Sequence, residues 1–169
     1  MTIRHQFQSF LYAALLVLGA GLSNAADTSV IIMNELPILD AARMGTQADV
    51  ERILKADPAM RDAASPTLGS KPLHMAALNP DSGPLKALLA AGALVNARDK
   101  SGATALHMAA FATRSEHTKL LLKAGADPFI KTREGRDVPS LARRVRADEV
   151  AGIISLWVLK GCKAGQECF

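Results

Sequence analysis

The chain has 169 residues, 49% of them hydrophobic but only 4% aromatic, with a formal net charge of +4. Such a length suits one domain, whose core must be assembled from Ala, Leu, Ile and Val rather than from large rings. The positive charges are scattered singly along the chain, so the concentrated basic footprint of a nucleic-acid binder is missing and nucleic acid is not an expected partner.

Residues 1–25 read as a cleaved export signal. Arg4 and His5 form a positive start, Phe10 to Leu22 is uncharged and apolar, and Ser23-Asn24-Ala25 offers small residues for cleavage. The mature chain is expected to begin at Ala26 or Asp27. The apolar stretch falls short of the roughly 20 residues that cross a bilayer, and no cysteine follows it to carry a lipid, so no membrane anchor is expected after cleavage. Residues 26–35 form a leader without clear pattern.

From residue 36 the chain repeats a two-helix unit. Leu36 to Met44 and Ala48 to Lys55 flank Gly45 in the first unit, 36–67. The second, 68–100, has Lys71-Pro72-Leu73-His74-Met75-Ala76-Ala77, then the turn cluster Asn79-Pro80-Asp81-Ser82-Gly83-Pro84, then an outer helix over Leu85 to Ala91. The third, 101–133, is the most complete. Gly102 and Thr104 precede a short helix over Leu106 to Ala110, and a second over His117 to Ala124 ends at Gly125, a residue suited to the left-handed position after a helix. Lys71 to Ala77 and Gly92-Ala93 recur 33 residues later as Thr104 to Ala110 and Gly125-Ala126, and a fixed period of this size signals a solenoid. Between Asp57 and Leu68 the connection holds two residues more than the period allows, at Pro58, Ser65 and Pro66. The fourth unit, 134–160, decays: Pro139-Ser140 stand for Leu-His, Arg143, Arg144 and Arg146 make its first helix basic, and Val150 to Leu159, with Trp157, is apolar enough to be a closing surface.

At these residues the sequence resembles the ankyrin repeat family, whose unit runs T-P-L-H, a pair of alanines, a V-V-K-L-L-L helix and a G-A-D-V-N turn. Ala105 and Lys71 depart from the Thr-Pro pair, and Pro80 and Thr113 replace the usual mid-repeat glycine. The resemblance implies an all-α solenoid of about four helix-turn-helix repeats over 36–160, with β-turn or hairpin tips. It also implies that His74 and His107 are structural, each bonding neighbouring loop backbone. His117, at the start of an outer helix, is expected to be solvated.

Cys162 and Cys168, in the tail 161–169, are expected to pair, since an exported chain with one even pair outside C-x-x-C spacing favours a disulfide over a redox or metal site. No nucleophile elbow, phosphate loop or H-E-x-x-H occurs, and Asp148-Glu149 are adjacent rather than facing, so neither enzyme chemistry nor a cofactor is expected.

Recognition remains. In ankyrin repeats the partner meets the concave surface of first helices and turn tips. The pairs that follow the alanine places of each unit, and are expected to be exposed, are Arg43 and Met44, Leu78 and Asn79, Phe111 and Ala112, and Arg144 and Val145. The tips add Ser70, Arg98, Lys100, Ser101, Ala103, Lys131, Arg133, Glu134 and Arg136. Met44, Leu78 and Phe111 form an apolar track bordered by cations, a pattern typical of interaction sites; the alternative is that Leu78 and Phe111 are core. The expected molecule is a periplasmic monomer that binds an unidentified protein. Exported bacterial ankyrin proteins suggest support of an oxidative-stress enzyme such as catalase, or immunity against a secreted toxic effector. A haem carrier with His107 or Met108 as axial ligand is a third reading.

Overall fold

The computed structural model describes residues 36–166 and 168–169; the expected signal and leader lie outside them. Eight α-helices are present among the described residues, in four pairs: α1 (Pro37–Met44) and α2 (Gln47–Ala56), α3 (Pro72–Ala76) and α4 (Gly83–Ala90), α5 (Ala105–Phe111) and α6 (Ser115–Lys123), α7 (Val138–Arg144) and α8 (Asp148–Leu159). A 3-10 turn, Pro58–Asp62, occupies the longer connection after the first pair. It is tied forward, because Asp62 Oδ1 accepts from the Leu94 N–H at 3.0 Å and Arg61 Nη1 donates to the Ala91 carbonyl at 3.0 Å.

First helices stack on first helices, α1 on α3 on α5 on α7, while α2 packs on α4 and α6 on α8. The core follows the gaps between units. Ala42, Ala76, Ala109 and Ala142 are fully buried between first helices, and Leu85, Leu88, Leu121 and Leu122 fill the space beneath the outer row. Small residues in the inner row allow close helix approach, and leucines supply the apolar area that stabilises the stack.

Helix starts follow local chemistry. At α2, Thr46 and Asp49 make a reciprocal capping box, with Thr46 N–H donating to Asp49 Oδ2 at 3.0 Å. At α7, Asp137 Oδ1 accepts from Ser140 N–H at 2.9 Å. Helix α4 begins earlier than its composition suggests, at Gly83-Pro84. Proline is tolerated in a first helical turn, and Asp81 Oδ1 accepts the Gly83 N–H at 3.0 Å.

The tips are hydrogen-bonded turns, with no strand among the described residues. Asp99 N–H donates to the Ala103 carbonyl and Thr132 N–H to the Arg136 carbonyl, both at 2.9 Å, and Arg133 N–H reaches back to Ser101 at 2.8 Å. Gly102 turns this tip with φ +80°, and a Cβ there would sit 3.0 Å from the Arg133 backbone nitrogen.

Candidate recognition face

The two repeated histidines are wired alike. His74 Nδ1 accepts from Lys71 N–H at 3.1 Å while Nε2 bonds the Ala103 carbonyl at 3.1 Å. His107 Nδ1 accepts from Thr104 N–H at 3.2 Å while Nε2 bonds the Arg136 carbonyl at 3.2 Å. Each ring therefore fixes the tip of the following repeat to its own helix start, with the proton on Nε2. Burial holds both below the usual histidine range, although the carbonyl each meets pulls the other way. With both nitrogens of His107 engaged, the ring has no lone pair for an axial ligand, which weighs against the haem reading.

The tips thus anchored carry an asymmetry of charge. Two of their acids accept from backbone: Asp99 Oδ1 accepts from Ser101 N–H at 2.8 Å and Ala103 N–H at 2.9 Å, and Asp137 is the cap of α7, while the third, Glu134, is exposed. Among the cations, Arg98 donates to the Gly102 and Lys131 carbonyls, Lys100 to those of Pro66 and Thr67, and Arg136 lies 2.8 Å from Glu134. Lys131, Arg133 and Arg144 are exposed and have no side-chain hydrogen bond or ion pair among the described residues. A groove of about 320 Å³ runs between two tips and α7, lined by Lys100, Arg133, Arg136 and Leu141.

Met44 and Phe111, at the ends of α1 and α5, are 75% and 63% exposed, and Arg43 is exposed beside Met44. Leu78, Ala112 and Val145 are half-buried, so the apolar track is interrupted at its middle. The expectation for Asn79 is corrected: it is 3% exposed, and its amide donates to the Ala42 and Gly45 carbonyls, both at 3.0 Å, closing the end of α1. Ser70 and Ala103 are likewise buried rather than exposed at their tips, Ser70 as acceptor for the Ser65 N–H at 2.8 Å and Ala103 under the His74 ring. His117 is corrected too. It is 2% exposed, not solvated, because it takes a core position of α6.

Cys162 and Cys168 place their sulfurs 2.06 Å apart, and the tail they close returns to the last two outer helices. Gly165 N–H donates to the Lys123 carbonyl at 2.8 Å, and Phe169 stacks on Trp157 with ring centres 5.6 Å apart. Trp157 is buried beneath it, whereas Leu156, Val158 and Leu159 remain exposed. Val158 and Leu159, with Phe129 and Pro139, border an apolar groove of about 320 Å³. The apolarity of α8 is legible in the sequence; which side the tail covers is not. No helix among the described residues is long and apolar enough to cross a membrane.

The four stacked helix pairs, the histidine-fixed tips and the alanine-lined inner row define an ankyrin repeat stack. The family model for ankyrin repeats (3 copies) matches residues 38–132, and the chain belongs to that family. No curated protein matches the chain. Ankyrin repeats are generally protein–protein interaction modules, and the family is typically non-enzymatic.

Proposed function

We propose that this protein acts in the periplasm as a binding module, and that it takes its partner on the concave face formed by the first helices and turn tips. The observation that carries the reading is the exposed Phe111 ring on the same row of helices as tips whose exposed Lys131 and Arg133 have no side-chain hydrogen bond or ion pair among the described residues. A partner surface that presents an apolar residue within an acidic rim complements it. The pairing of Cys162 with Cys168 is compatible with an oxidising compartment.

The test is capture from periplasmic extract with wild type, Phe111→Ala and Arg133→Glu, each followed by thermal unfolding. Phe111→Ala removes an anchor and is expected to weaken capture by about 2 kcal/mol or more. Arg133→Glu should slow association and flatten its salt dependence. Both variants should melt close to wild type. Early unfolding of Phe111→Ala with undiminished capture would return Phe111 to the core and move the binding face elsewhere.

A further inference from the structure

The first helices leave few side chains outside the core, and those few are regularly placed. In α3 every residue except Met75 is buried, and in α5 every residue except Met108 and Phe111. Met75 and Met108 hold the same place in successive repeats, and one period further on stands Leu141 of α7, half-buried as they are. In the first repeat the equivalent residue is the exposed Asp40, so the apolar row starts at the second. Because first helices stack directly on one another, the three side chains form a line across α3, α5 and α7, with Phe111 one turn along α5 from Met108.

The line ends in a groove. Leu141 forms one wall of the space of about 320 Å³ beside the last two tips, where it meets Lys100, Arg133 and Arg136. Glu134 borders the same space and lies 2.8 Å from Arg136. Over these two tips Arg98, Lys100, Lys131, Arg133 and Arg136 outnumber the acids Asp99, Glu134 and Asp137, so this edge of the line is positive. The opposite edge, where first helices turn into outer ones, mixes Arg43, Arg114 and Arg144 with Asp81, Glu116 and Asp148 and sets no sign.

Taking the binding face proposed above as given, we propose that the line of Met75, Met108 and Leu141 receives an amphipathic helix of the partner, apolar on the side it lays down and acidic along the edge that faces the tips. Spacing selects the helix. Packed helices lie about 8–10 Å apart, and a helix laid across the row returns to the same face every seven residues, about 10.5 Å, so one apolar stripe meets the three side chains in turn. A strand repeats its face every two residues, about 6.6 Å, and falls out of step. Methionine, unbranched and polarizable, adapts to whatever apolar shape arrives, and the positive tips favour acids beside the stripe.

The probe is a peptide of roughly 18 residues, enough to span the three helices at 1.5 Å per residue, with leucines at helical spacing and glutamates beside them. The protein carries labelled methionine methyl groups for NMR, and anisotropy of the labelled peptide gives its affinity. The peptide is expected to shift the Met75 and Met108 methyl signals saturably and to leave that of Met60, in the 3-10 turn, in place. A peptide of the same composition with its leucines dispersed, and one with lysines for glutamates, should each bind about tenfold more weakly. Met75→Gln combined with Met108→Gln should weaken binding by a similar factor, whereas Met75→Leu combined with Met108→Leu should retain it. If the glutamine pair unfolds, the comparison among peptides still decides. No binding of the acidic amphipathic peptide, equal binding of the dispersed or lysine peptide, or shifts at Met60 in place of Met75 and Met108 would overturn the proposal. Capture through Phe111 that persists beside any of those results would leave the wider reading of the face standing.

Discussion

The amide of Asn79 reaches from the second repeat to the Ala42 and Gly45 carbonyls of the first, at 3.0 Å each, and no other side chain among the described residues bonds these two acceptors. Asn79→Ala leaves them unpaired beside the core and should cost about 1–3 kcal/mol in urea unfolding. An unchanged midpoint would mean that the bonds hold nothing. The buried histidines set a second expectation. Burial holds His74, His107 and His117 below the usual range, so the unfolded chain binds protons more readily than the folded one. Their contribution is complete above the unfolded value near pH 6.5 and is lost as pH falls from there toward the folded values. Asp49, held low by its hydrogen bonds with Thr46, and Asp137, held low by Ser140, add a separate loss as pH falls below the unfolded carboxylate value of 3.8. The urea midpoint should therefore drop between about pH 7.5 and pH 5.5, before any carboxylate titrates. A flat profile across that window would contradict the burial of the rings.

Each helix is held by its neighbours, since the core is a continuous layer along which each repeat packs on the next. Leu121 of α6 is fully buried, and Leu121→Ala should cost roughly 2–5 kcal/mol by lost burial and a cavity; a change within error would mean that α6 does not pack as described. The elements were readable because their punctuation is local. Gly125 takes the left-handed position expected of it after α6, at φ +94°, and the histidine places recur with the period. What escaped was any property set by another repeat. Asn79 lies in a turn cluster and looks exposed until α1 is stacked beside it. Gly83-Pro84 escaped for a local reason instead: it reads as turn, yet it opens α4 with Asp81 Oδ1 accepting the Gly83 N–H. His117 signalled its burial only through standing where the family places valine.

At the scale of the molecule, the ankyrin stack was legible from the 33-residue period, while the candidate face was legible only in part. Met44, Phe111, Lys131 and Arg133 are exposed and the excess of cations at the tips is in the sequence itself, but the burial of Ser70, Asn79 and Ala103 depends on contacts that no spacing reveals. The tail adds a check on the exported reading. Intact mass of protein recovered from the periplasm should show a chain beginning at Ala26 or Asp27 and lacking two hydrogens at Cys162 and Cys168. Two thiols that alkylate without reductant would contradict it. The central claim, that a partner sits on the first-helix and tip face, is tested most directly by placing a photo-crosslinking benzophenone residue at Phe111, and separately at the exposed Lys55 of the outer row, in cells that make the protein. The account predicts a discrete protein adduct from position 111 and none from position 55; adducts from position 55 alone would place the partner on the outer face and contradict it.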